Sequence, residues 1–190
     1  MKQLWLGLAA LLVAVVPVSA STVIGMSIED QARLSQHVVL GTIVSQVGID
    51  DPENGIETEV TIKVKRDLKG VAVKGDMLVF RTRSGQVGEE VSMAVGEAEF
   101  KTGKPVLVFL EDIDGTLYNL GLSSGVFDVR ESKKGEVSFT RALKDGLDVY
   151  GDVAFEMGPI SDHAMAARVA QAMRKPEFDH PMLREARVED

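Results

Sequence analysis

Thr58-Glu59-Val60-Thr61-Ile62-Lys63-Val64-Lys65-Arg66 alternates without a break: Val60, Ile62 and Val64 fall on one face, Thr61, Lys63 and Lys65 on the other. A period of two fits a half-buried β-strand and not an amphipathic helix, whose apolar residues recur every three or four positions. Turn chemistry bounds the strand on both sides, with Asp50-Asp51-Pro52-Glu53-Asn54-Gly55 before it and Leu68-Lys69-Gly70 after it. The strand therefore belongs to a series of hairpins.

Working upstream, His37 to Val47 is β-branched and apolar, and Gly41 interrupts it where a bulge or bend fits. Downstream, Met77 to Thr82 resumes as a third strand after the Lys74-Gly75-Asp76 turn. Gly85, Gly88, Gly96 and Gly103 then mark a long irregular connection, with a short strand expected around Val87 to Met93. Pro105 to Leu110 is a continuous apolar run bounded by turns, which predicts a buried central strand. Leu117 to Leu120 and Val126 to Val129 are expected as the last barrel strands, and Val137 to Phe139 as an edge hairpin. After Arg141 the strand signal fades. Five or six short strands with one long loop predict a mainly β protein built on a small closed barrel.

Two helices flank these strands. Ser27, with Asp30 three residues on, caps a short helix ending near Gln36. Ser161 caps a second, in which Met165, Val169, Ala172 and Met173 form an apolar stripe that ends before Pro176. Packing of that stripe on the barrel is the simpler expectation, and a partner-binding helix is the alternative.

Residues 1–20 have the pattern of a cleavable secretory signal: Lys2, an uncharged run from Leu4 to Val16, and Val18-Ser19-Ala20 at the cleavage site. The run is too short to span a bilayer, which takes about 20 residues. The expected organisation is a signal peptide over 1–20, the barrel over 21–141, an extension with the amphipathic helix over 142–175, and a charged, weakly ordered tail over 176–190. Export to a periplasm or the extracellular space follows, and no stable membrane span is expected in the mature chain.

Cysteine is absent, so neither disulfides nor thiolate chemistry is open to this exported chain. Removing Lys2 with the leader leaves 20 basic against 29 acidic residues. That acidic balance disfavours nucleic-acid binding. His37, His163 and His180 lack metal-ligand spacing, and no Gly-x-Ser-x-Gly elbow, Walker pattern or dinucleotide fingerprint occurs. The acid pairs Asp50-Asp51, Glu89-Glu90 and Glu111-Asp112 sit in expected turns or loops, where solvated surface is the simpler role. The expectation is a protein without catalytic residues, intrinsic metal or cofactor.

Three stretches carry a resemblance. Ser35 to Val44, Val60 to Gly70 with its Lys69-Gly70 turn, and Thr82 to Gly88 followed by Gly103 to Leu110 are similar in order and pattern to the netrin-like module of tissue inhibitors of metalloproteinases (TIMPs). Gln36 and His37 stand where that family has an acid, and its loop cysteine is missing here. The resemblance implies a five-stranded OB-fold barrel and a protein-binding function. In the family, the amine and carbonyl of the first mature residue chelate the zinc of a target protease, and the second residue enters its specificity pocket. Carried over, this makes Ser21, Thr22 and Val23 partner-binding, with Ser21 supplying the ligands to a zinc metalloprotease. Ser84, Gln86, Val87 and Gly88 form the adjoining loop. An α-amine with a pKa of about 7.7 to 8.0 deprotonates readily for that purpose. The alternative is a structural or envelope-interaction domain that uses the same loops.

Overall fold

The computed structural model describes residues 21–145, 147–150 and 155–175. The leader expected over 1–20 and the tail expected over 176–190 lie outside the described residues. In chain order the elements are β1 (Ser21–Ile24), α1 (Ile28–Leu34), β2 (His37–Asp51), β3 (Gly55–Asp67), β4 (Met77–Thr82), β5 (Gly85–Val87) and β6 (Glu90–Ser92). They continue with β7 (Pro105–Ile113), β8 (Thr116–Asn119), β9 (Val126–Glu131), β10 (Val137–Arg141), β11 (Leu147–Tyr150), β12 (Ile160–Ser161) and α2 (Asp162–Arg174).

The alternating stretch lies in β3, and its apolar face does what a period of two requires: Val60, Ile62 and Val64 are all buried. β3 pairs antiparallel with β2 and β4, and β7 pairs antiparallel with β2 and β8. One parallel bridge, Arg81 to Tyr118, joins β4 to β8 and closes five strands into an OB-fold-like barrel. Gly41 lies at a register shift between β2 and β3, and a Cβ there would lie 2.5 Å from the Lys63 carbonyl oxygen. Only glycine permits so close an approach.

β7 explains a departure from the expected barrel. Its Leu110–Ile113 half pairs with β8, whereas Val106–Val108 on the same edge pairs with β9. The edge therefore branches. β8 completes the ring, while β9, expected as a barrel strand, leads β10 and β12 away as an extension of the sheet. The faded signal after Arg141 conceals another element: β11 pairs in parallel with β1.

Because β7 is covered on both faces, its apolar run serves two cores. Val106, Val108 and Leu110 join Val39, Ile43, Val60, Ile62, Val64 and Phe80 inside the barrel. Leu107 and Phe109 join Val38, Leu40, Phe127 and Phe139 in a second core, under Ile28 and Ala32 of α1 and Met165, Val169 and Ala172 of α2. Met165, Val169 and Ala172 of the α2 stripe are thus spent on packing, while Met173 is half exposed. Ser27 and Ser161 cap the two helices by accepting from the Asp30 and Ala164 amides. Arg168 of α2 ties the helices together, meeting Glu29 at 2.5 Å and also pairing with Glu156. Neither described helix is long and apolar enough to cross a membrane.

Two buried polar groups fasten these layers. The Asp67 carboxylate accepts from the Val38, Lys69, Gly70 and Ala72 amides and meets His37 Nδ1 at 2.6 Å. Lys69 caps the carbonyls of Arg33 and Ser35 at the end of α1. The Lys69-Gly70 turn singled out in the sequence therefore locks α1 to the barrel. Arg141 lies buried between the rings of Phe127 and Phe155, 4.6 and 4.1 Å from their centroids. It donates to Gln31 Oε1 and to the Ser124 and Glu156 carbonyls. Burial pulls its pKa down to about 10, which still leaves it charged at neutral pH.

Candidate functional site

The long connection after β4 folds over one end of the barrel as the β5–β6 hairpin. Thr58 Oγ1 and Thr82 Oγ1 donate to the Ser84 carbonyl at 2.7 and 3.1 Å, and Ser84 Oγ accepts from the Ala94 amide at 2.9 Å. Gln86 Nε2 donates to the Gly88 carbonyl at 3.0 Å, and Gly88 turns the hairpin with φ +60°. A side chain on Gly48 would collide with the Gln86 carbonyl, and one on Gly85 with the Glu57 carbonyl. These contacts seat the hairpin directly on the β2 and β3 backbones.

Farther along the connection, the buried Glu97 carboxylate accepts from the Arg83 and Ala98 amides and from Asn119 Nδ2 at 2.7–2.9 Å. Phe100 then turns edge-on to Phe80 in the barrel core. What remains displayed is part polar, at Gln86, Glu89 and Glu90, and part apolar. Val87, Val91 and Met93 are 38, 59 and 84% exposed. A cavity of about 530 Å³ lies beside them, lined by Gln46, Thr58, Thr82, Ser84 and Gln86.

Ser84, Gln86, Val87 and Gly88 thus come together in one turn of the structure. Ser21, Thr22 and Val23 lie elsewhere, in β1, paired with Leu147, Asp148 and Val149 of β11. Thr22 is exposed and Val23 half-buried. β1 has β11 as its strand partner and β5 has β6, so the structure does not join the two expected groups in a single ladder.

A third constellation escaped the sequence reading. On the outer surface of β3, β4 and β8, Arg81 meets Asp51 at 2.7 Å and both Glu57 and Glu59 at 3.4 Å. Tyr118 Oη donates to both Glu57 oxygens at 3.1 Å, and the Arg83 guanidinium stands 5.0 Å from the Tyr118 ring centre. Asp51, Glu57, Arg81, Arg83 and Tyr118 line a cleft of about 530 Å³ between the β2–β3 and β7–β8 turns. OB-folds commonly place ligands between these two turns.

The electrostatics of that cleft are those of a closed network. The Glu53 amide and Arg81 hold the Asp51 carboxyl below its ordinary value, and the bond to Asp51 raises Arg81 further. Burial and then Glu57 raise the Tyr118 phenol, and burial raises Glu111 beside Arg83. Both carboxylate oxygens of Asp51 and of Glu57 already have donors, and Glu59 accepts through Oε1. Among the described residues no group of three or more His, Asp or Glu side chains is arranged to hold a metal. The sequence signals were Asp51, expected only as solvated surface in the Asp50-Asp51 pair but held here by Arg81, and the outward placement of Glu57 and Glu59 by the alternation of β3. No protein-family model, curated protein or solved structure matches the chain.

Proposed function

We propose that this protein is a non-enzymatic binding module for a protein partner, engaged through the β5–β6 hairpin. The observation that carries this reading is the combination of rigidity and apolar display. The hairpin is seated on Gly48 and Gly85, while Val87, Val91 and Met93 face solvent. A pre-ordered projection loses little conformational entropy on binding, and its exposed valines and methionine offer apolar area beside the acidic pair Glu89-Glu90.

Metalloprotease inhibition is the narrower version, and β1 is what supports it. The family resemblance implies a disulfide tying residue 21 to the loop at Gln86 to Gly88; here the ladder with β11 holds Ser21 to Val23 instead. The Ser21 amine and carbonyl would then occupy the open position of a target zinc. The structural or envelope-interaction alternative uses the hairpin alone.

A photo-crosslinker at position 93 should give a discrete adduct in exported fractions, and Val91→Glu should abolish it. A crosslinker at exposed Lys133 serves as the control. Equal labelling from both positions would refute the hairpin as the binding surface. For the inhibitory version, inhibition of a zinc protease should disappear when one residue is added before Ser21. Unchanged potency would eliminate chelation while leaving the hairpin reading standing.

A further inference from the structure

A third opening, of about 570 Å³, lies over the β7–β9 ladder between the segment from Ala98 to Lys104 and the segment from Ala142 to Lys144. Val106 and Val126 form its floor, with Ala98 and Ala142 beside them. Its rim is basic: Lys101, Lys104, Arg130 and Lys144 converge there, opposed by Glu99 and Asp128. Glu99 is already engaged by Lys144 at 2.9 Å, across the two walls. Lys101, Lys104 and Arg130 form no ion pair with any described residue.

This is an unusual use of charge in a chain with 29 acidic and 21 basic residues. Carboxylates are in excess, yet four cations line one groove with only Glu99, which feels both Lys144 and Lys101, and Asp128 to oppose them. Like charges held together repel one another, and an anion between them relieves that repulsion. An apolar floor beneath them rewards a ligand that also brings hydrocarbon. The volume falls within the range of small-molecule sites, about 300–1,000 Å³.

We propose that this groove binds a small amphipathic anion. Lys101, Lys104 and Arg130 hold its carboxylate or phosphate group, and a short hydrocarbon chain or ring lies over Val106 and Val126. Arg130 supplies the planar fork that grips either group through two hydrogen bonds, and the lysines add point charge. The groove shares Ala98 and Glu99 with the cavity beside the hairpin, but the proposal does not rest on the protein-binding reading.

Amide chemical-shift titrations of the intact protein test this, using octanoate, octyl phosphate and neutral octyl glucoside, each below its micelle concentration. The two anions should move the amides of residues 101–104, 126–130 and 142–144. The neutral glucoside should bind at least about tenfold more weakly, equivalent to about 1.4 kcal/mol. Lys104→Glu with Arg130→Glu should weaken octanoate at least about tenfold. Lys133→Glu with Lys134→Glu, on an exposed turn, should change it less than about twofold. All four side chains are exposed, so both variants should keep the parent spectrum. Equal binding of anion and glucoside, shifts scattered over surface lysines, or indifference to Lys104→Glu with Arg130→Glu would each overturn the proposal. Binding to anionic phosphatidylglycerol vesicles while octanoate and octyl phosphate leave the groove unmoved would also overturn it, in favour of a membrane surface.

Discussion

The cleft around Arg81 and the groove around Lys104 are similar in volume and lie on the same β-sheet, but they treat charge in opposite ways. In the cleft a single guanidinium is shared among Asp51, Glu57 and Glu59, and Tyr118 completes the remaining contacts of Glu57. In the groove three cations stand without a described partner. The Glu57 side chain is only 4% exposed, so it could not be buried there without Arg81. Lys101, Lys104 and Arg130 are exposed and are hydrated whether or not a ligand is present. Charges buried with their partners hold the fold together, and exposed unpaired charges remain available to something else.

The largest expected effect comes from breaking the cleft. Arg81→Ala leaves the Glu57 carboxylate buried with only a phenol for company, and should cost about 2–3 kcal/mol in urea unfolding at neutral pH. The difference should shrink in acid. Asp51 has a lowered pKa in the folded state, so the unfolded chain takes up protons first as pH falls. Its contribution is therefore full above about pH 4 and is lost as pH drops through the folded value. Unfolding curves of the parent and Arg81→Ala should converge between neutral pH and about pH 3. A gap that stays constant would mean that Arg81 acts through packing and not through its carboxylates.

The same contrast shows what could be read from the sequence. The strands were legible because β3 alternates strictly and because β7 is an unbroken apolar run between turns. Ser27 and Ser161 announced both helices as capping residues. The branching of β7 was not legible, since one edge serving two strands leaves no mark on periodicity. Nor was the β1–β11 ladder, whose members stand more than a hundred residues apart. The glycines marked the long connection after β4, but not its hairpin: one short strand was expected over Val87 to Met93, where the chain turns at Gly88 between β5 and β6. The Arg81 cluster was hidden because Asp51, Glu57, Arg81 and Tyr118 come from four strands and meet only once register is fixed. Arg141 misleads most, because a charged residue suggests surface while this one is sandwiched between two phenyl rings.

A second carboxylate allows the lesson to be checked away from both openings. Burial alone would raise the Asp67 carboxyl, but hydrogen bonds from His37, Gly70 and Lys69 outweigh it and hold the group below its ordinary value. The sign is the same as for Asp51: stability is present above about pH 4 and is lost on acidification. Asp67→Asn keeps the shape and removes the charge. It should cost about 1–2 kcal/mol at pH 7 and flatten the acid limb of the stability curve. An unaltered acid limb would show that His37 and the turn amides are satisfied without the carboxylate's charge.

Tyr118→Phe sharpens the comparison inside the cleft. It deletes one donor to Glu57 but leaves Arg81 in place and the ring under Arg83 intact. The expected loss is about 1 kcal/mol, well short of Arg81→Ala. The two measurements together separate the hydrogen bond from the ion pair. A Tyr118→Phe loss as large as that of Arg81→Ala would place the anchor of Glu57 in the phenol.

The smallest expected effect lies in the groove. Lys104→Glu converts one rim cation to an anion and removes no described hydrogen bond or ion pair, so unfolding should change by less than about 0.5 kcal/mol. If anything the substitution should stabilise slightly, because it relieves repulsion with Lys101 and Arg130. Added salt should erase that gain, since exposed charges are screened over about 10 Å at 0.1 M. A loss above about 1 kcal/mol would mean that Lys104 holds the fold as Arg81 does. The two openings would then differ only in the number of partners each cation has.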